Sequence, residues 1–214
     1  MSATTLCRNW ASALAVVLAA PLAAQAQALP ITGGLTAVTL TAAPVLVGAG
    51  LGFTTLGTAA VSPGSTGIPQ VFFPVTGGAI DTVTFSGSIE HEGSGLALFN
   101  SSTTVNLTNF VINTTSFVLS GDVASGTNSL SDVPLFNLGF SGVTTSPFSL
   151  NLTNTAAGAL TALLGLPDLT GATLGTANTI PVTVVPEPET WMTLLAGLAL
   201  VGATLQRRRA RASA

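Results

Sequence analysis

The stretch at 103–112, TTVNLTNFVI, decides the fold class. Val105 and Leu107 alternate with Asn106 and Thr108, the period of two expected of a strand with one dry and one wet face. At Asn109-Phe110 the phase slips by one residue, which predicts either a bulge or a strand covered on both sides. The same period continues in SFVLSGDV (116–123), PLFNLGF (134–140) and FSLNL (148–152), the last with Phe148, Leu150 and Leu152 on one face. Upstream, DTVTFSGSIE (81–90) sets Val83 and Phe85 opposite Thr82 and Thr84. Turns are expected at Gly93 to Gly95, Ser101-Ser102, Gly121, Ser125-Gly126 and Ser146-Pro147. Short strands at regular spacing predict a mainly β single domain, sandwich or barrel-like.

One segment leaves this period. NTAAGALTALLG (154–165) offers Asn154 as N-cap, Leu160, Leu163 and Leu164 on one helical face, and Gly165 as a stop, so one short helix is expected against the sheet. Between Leu29 and Gly78 the residues predict two or three strands and a loop at SPGSTGIPQ (62–70), without a repeat.

The two ends differ in composition from this middle. Arg8, an apolar run from Ala11 to Ala20 and the sequence LAAQAQA read as a secretory signal peptide over 1–28, with cleavage after Ala26 or after Ala28. The other end runs in three parts: Pro186-Glu187-Pro188, an uncharged stretch 191–205, and Arg207, Arg208, Arg209 and Arg211. The prolines end any preceding element, and the arginines hold the C-terminus on the cytoplasmic side. Fifteen residues make about 23 Å of helix against a hydrocarbon core of roughly 30 Å, a transmembrane helix short enough to suit temporary anchoring.

Together, Val185, Pro186, Glu187, Pro188, the apolar stretch and the terminal arginines resemble the PEP-CTERM sorting signal of Gram-negative bacteria. That resemblance implies delivery by the Sec translocon and signal peptidase, and transient inner-membrane association. It also implies cleavage by an exosortase, a membrane transpeptidase-like protease, and a role beside exopolysaccharide at the cell surface or in a biofilm matrix. The chain then divides into signal peptide (1–28), exported β-rich domain (29–185) and sorting signal (186–214).

Between Leu29 and Val185 lie Asp81, Glu90, Glu92, Asp122, Asp132 and Asp168, one His, and no Lys or Arg. No salt bridge can form there, and nucleic acid finds no cationic surface. The single Cys, at position 7, leaves with the signal peptide, so disulfides contribute nothing. Stability must come from apolar burial and backbone hydrogen bonds. Thr and Ser make up 42 of these 157 residues and Gly with Pro another 30, a composition that favours pleated, frequently turning chain over helix.

Chemistry-bearing residues are few. Glu90-His91-Glu92 is the one candidate cluster: on an extended strand the two Glu share a face and His91 points away, so convergence on a ligand needs a turn at Gly93-Ser94-Gly95. Paired carboxylates without Trp, Tyr, Lys or Arg nearby make no sugar cleft. One His and no G-x-S-x-G elbow leave no nucleophilic triad. No cofactor or metal is expected, and the domain reads as non-enzymatic. The segments 89–123 and 160–177 are also similar in layout to HtaA-like bacterial surface domains, whose members can bind haem; that resemblance implies a β fold and, as a second function, a haem or metal site using His91. Family haem sites use a Tyr ligand, and this chain has no Tyr.

The fragment from Leu29 to Val185 should therefore give a β-type circular dichroism spectrum and a cooperative thermal transition that responds weakly to salt. A random-coil spectrum would mark the region as a disordered matrix polymer.

Overall fold

The computed structural model describes residues 28–64, 67–81, 83–140, 147–184 and 194–202. Eleven strands pair antiparallel throughout: β1 (Ala28–Thr39), β2 (Gly52–Gly57), β3 (Ala60–Ser62), β4 (Gln70–Pro74), β5 (Gly77–Asp81), β6 (Gly87–Phe99), β7 (Thr104–Asn113), β8 (Val118–Ser125), β9 (Asn128–Gly139), β10 (Phe148–Leu152) and β11 (Thr173–Thr183). Two short helices interrupt them, α1 (Ala43–Gly48) and α2 (Asn154–Leu164), and residues 194–202 are helical and exposed.

The strands form one sheet, and it closes. From β11 the order runs β10, β9, β8, β7, β6, β5, β1, and β1 pairs again with β11, so the barrel alternative describes the molecule. One stretch of wall is split. β5 bridges β6 to β1 at one end, pairing Ile80 with Gly87 and Asp81 with Ala28. Towards the other end β1 carries β4 and β3, while β6 carries β2, and among the described residues no ladder joins these two lips.

Alternation explains which side chains go inside. On β7, Val105 and Leu107 are buried before the slip, and Phe110 and Ile112 after it. Asn109 takes φ 53 at the slip, and the register with β8 shifts between Thr108 and Val111, so the irregularity expected there is a bulge. On α2, Ala156, Ala157, Leu160 and Leu164 turn inward and join the barrel's apolar cluster. Each buried Val, Leu, Ile or Phe removes enough apolar surface from water to contribute about 1.5–3 kcal/mol before chain entropy is counted.

Several expectations need correction. Asp81–Glu90 is not one strand: β5 stops at Asp81, whose carboxylate accepts the N–H groups of Val83 and Thr84 and turns the chain, leaving Val83 and Phe85 exposed. The same two N–H groups, Thr84 before Val83, hold the Asp81 carboxyl below its ordinary pKa. Gly93 to Gly95 is a bulge inside β6 and Gly121 lies inside β8, because inter-strand pairing resumes beyond each. The N-cap of α2 is Thr153, whose hydroxyl accepts from Ala156 N–H, not Asn154; Gly165 ends the helix in the left-handed region as expected, while Leu163, 37% exposed, sits at the edge of the inward face and lines the space beneath the helix with Leu160. Pro44 near the start of α1 pre-sets a helical turn that the Val-rich sequence around it does not advertise. Ser146 lies outside the described residues, as do Ala26, the motif Val185 to Pro188 and the arginines. No helix among the described residues is long and apolar enough to cross a membrane.

Closure depends on Gly34. Its φ of 131 belongs to the region that side chains avoid, and a Cβ there would collide with the Ile180 carbonyl across the β1–β11 ladder. Gly33 next to it has open space. Gly34→Ala should cost about 2 kcal/mol or more and Gly33→Ala little, read as urea midpoints; equal midpoints would show that the seam does not need this glycine.

Candidate functional site

His91 lies in the middle of β6, and the strand's pleat turns it into the barrel while Glu90 and Glu92 face outward. Gly93, at φ 70, sits in the middle of a bulge where Glu92, Gly93 and Ser94 lie opposite Asn109 alone, and its N–H donates to Asn109 Oδ1 on the facing bulge. Asn109 Nδ2 donates in turn to Asp122 Oδ2, so three neighbouring strands are irregular at one level. Ser94 Oγ donates to the His91 carbonyl and tightens the bulge from inside. The turn that would gather Glu90, His91 and Glu92 does not form. Among the described residues no group of three His, Cys, Asp or Glu side chains can hold a metal ion.

Both ring nitrogens of His91 are engaged. Nδ1 lies 3.2 Å from the Phe110 carbonyl, which can only accept, so Nδ1 carries the proton. Nε2 then accepts from Thr36 Oγ1 at 2.7 Å, and Thr36 accepts from Thr179 Oγ1 at 2.9 Å. This hydroxyl–hydroxyl–imidazole–carbonyl line joins β11, β1, β6 and β7 across the lumen. His91 is 1% exposed and Phe73 stands edge-on to its ring, with centroids 6.5 Å apart. Burial holds its pKa below the ordinary 6.5, opposed only by the Phe110 carbonyl, so the ring is neutral.

Thr36 and His91 of this line stand in the wall of a cavity of about 80 Å³ whose surface is almost wholly apolar. Leu46 of α1, Phe53 of β2 and Val71 and Phe73 of β4 bring both lips of the split wall to its lining. A second space of about 40 Å³ continues beneath α2, sharing Leu98, Leu107, Phe136 and Leu174. Sequence reasoning found His91 but missed Thr36 and Thr179. The signal was present for Thr36: in LTAVTL it shares the inward face with Val38, a polar residue where the alternation wants an apolar one.

A haem does not fit these residues as they stand. A dry cavity of roughly 150 Å³ takes one benzene ring, a porphyrin is several times larger, and a ligand on Nε2 must first displace the Thr36 hydroxyl.

Residues 184–209 match the PEP-CTERM protein-sorting motif, which starts one residue after β11 ends. The chain carries a PEP-CTERM sorting motif. The fold is similar to the crystal structure of the C-terminal domain of HtaA from Corynebacterium glutamicum, with a TM-score of 0.52 and 20% identity over 72% of this chain and 98% of that one. The crystal structure of the haem-binding protein HtaB from the same organism matches with a TM-score of 0.46 and 10% identity over 74% and 99%. At such identity the HtaA likeness concerns fold alone. No curated protein matches the chain. The motif marks an exported, exosortase-sorted protein, anchored at the membrane by its C-terminus before processing.

Since the fold holds His91 neutral and the unfolded chain does not, the unfolded state takes up the extra proton. Stability should be level above about pH 6.5 and fall as pH drops from there towards the lower folded-state pKa, ahead of carboxylate protonation. His91→Gln should flatten that segment of the urea midpoint against pH; an unchanged profile would place the titrating group elsewhere.

Proposed function

We propose that the β-barrel is the non-enzymatic, mature part of a surface or extracellular-matrix protein of a Gram-negative bacterium, with a structural or adhesive role linked to exopolysaccharide. The observation that carries this reading is the sorting motif set directly after the closing strand. Such an arrangement lets a folded domain stand on the far side of the membrane with only a short linker for the exosortase to cut. The described side chains support it as well: Asp81 caps a turn, His91 is spent on Thr36 and Phe110, and Asp122 braces the bulges. On this reading the stretch 191–205 spans the inner membrane transiently, and the Sec translocon and signal peptidase act at the other end.

A second reading, ligand binding through His91, draws on the position of His91 and Thr36 in the lining of an apolar cavity beneath a split wall. It requires the lips to part and Thr36 to release Nε2 for haem or a metal ion. Titration of haem and of divalent metals into the purified protein separates the readings: saturable binding lost in His91→Ala favours the ligand site, and its absence favours the structural role.

Intact mass of protein from the native host tests the first reading. The mature form should lack both Trp10 and Trp191, and Pro186→Ala with Pro188→Ala should accumulate an inserted, uncut precursor. Neutralising Arg207, Arg208, Arg209 and Arg211 should misorient it instead. Retention of the segment from Trp191 to Arg211 in the final product would leave a tail-anchored protein without exosortase cleavage.

A further inference from the structure

The strand register gathers one set of ends on one rim of the barrel. Ala28 of β1 faces Asp81 of β5, and the turn after Asp81 leads to Gly87 of β6. Thr114, after β7, donates through both its N–H and its hydroxyl to the Gly87 carbonyl, which sets the β7–β8 turn against the β5–β6 turn. Leu138 N–H donates to the Phe117 carbonyl, and Phe117 stacks edge-on with Phe140 at 5.1 Å, bringing in the end of β9. Val184 N–H, past β11, donates to the Pro30 carbonyl. The chain's exits towards both of its trafficking segments therefore share a rim.

That rim is apolar at its tips. Val83 is 70% and Phe85 53% exposed, and Phe117, Phe140, Val182 and Val184 are also exposed. Exposed turns ordinarily carry polar residues, and a set of large apolar side chains on several adjoining turns marks a contact surface. Among the described residues, the carboxylates other than Asp81 stand back from it. Glu90 is three residues along β6 from Gly87 and Asp122 four along β8 from Val118, roughly 10 Å and 13 Å up the wall at strand rise. Asp168 follows α2, beyond the opposite end of β10. Asp81 is at the rim, with its carboxylate turned onto the Val83 and Thr84 N–H groups.

We propose that this rim rests in the interfacial layer of the lipid bilayer while the precursor is anchored, with Val83, Phe85, Phe117 and Phe140 inserted among the headgroups. The proposal rests on the anchored precursor of the preceding subsection. Its occupant follows from where the chain goes: from Val184 to the helix at 194–202 the backbone can extend at most about 35 Å, so an anchored helix keeps this rim, and not the α2 end, near the membrane. With no Lys or Arg between residues 28 and 202, contact is by apolar insertion and not by attraction to anionic lipid. The seating would hold the linker close to the bilayer surface, where a membrane protease works, and cleavage would release the rim.

The test uses the full chain with Cys7→Ser, reconstituted in phosphatidylcholine vesicles and carrying an environment-sensitive thiol label at Val83→Cys, at Val182→Cys, or at Ser102→Cys on the opposite end. Brominated phosphatidylcholine should quench the first two labels and not the third, equally at low and high salt. Protein that floats with vesicles while all three labels respond alike overturns the rim contact and leaves anchoring intact. Labels at the rim shielded from a water-soluble quencher, but untouched by brominated lipid, would assign the rim to a second copy of the chain and overturn the lipid contact. Failure to float with vesicles would remove the anchor reading itself, and the rim proposal with it. The two rim sites lie on different elements, the turn after β5 and strand β11, so misfolding of one variant leaves the other to report.

Discussion

The β1–β11 ladder is the contact on which the remaining structure depends. It joins the first strand to the last, from Ile31 opposite Thr183 to Thr39 opposite Thr176. Without it the sheet would present two long edges of unpaired N–H and C=O groups, in a protein with no lysines to guard them. Closure removes those edges, shapes the lumen, and brings Thr179 beside Thr36. Gly34 is the local condition for it, since only a residue without Cβ lets the Ile180 carbonyl approach so closely.

Inside the barrel, one neutral polar line does work that ion pairs cannot do in this composition. A lone buried hydroxyl or imidazole would be costly, yet Thr36, His91 and Thr179 satisfy one another and end on a backbone carbonyl. Among the described residues no buried side-chain nitrogen or oxygen lacks a partner. The line ties the terminal strands β1 and β11 to the β6–β7 hairpin in mid-chain, so it helps fix their relative register.

How much of this could be read beforehand differs by residue. The bulge at Asn109 was legible because a break in a period of two is a local signal, and α2 was legible because leucines at helical spacing end on a glycine. Val83 and Phe85 misled, because a turn capped by an Asp side chain happens to alternate like a strand. The segment from Leu29 to Gly78, built of Gly, Ala and Thr, offers too little contrast between faces to locate α1 or the short β3. His91 drew attention on its own, while its partners depend on pairings between strands far apart in sequence, which no window of neighbouring residues contains.

The pairing of first and last strands also sets an order in time. A chain that leaves the translocation channel N-terminus first presents β1 early, but the ladder that completes the barrel must wait until Thr183 has emerged. Long-range pairing of this kind is slow to form and makes completion late and cooperative. The sorting motif begins with the very next residue. The segment matched by the sorting motif thus follows directly on the last residues the barrel needs, and once closed the barrel is too wide to retreat as an extended chain.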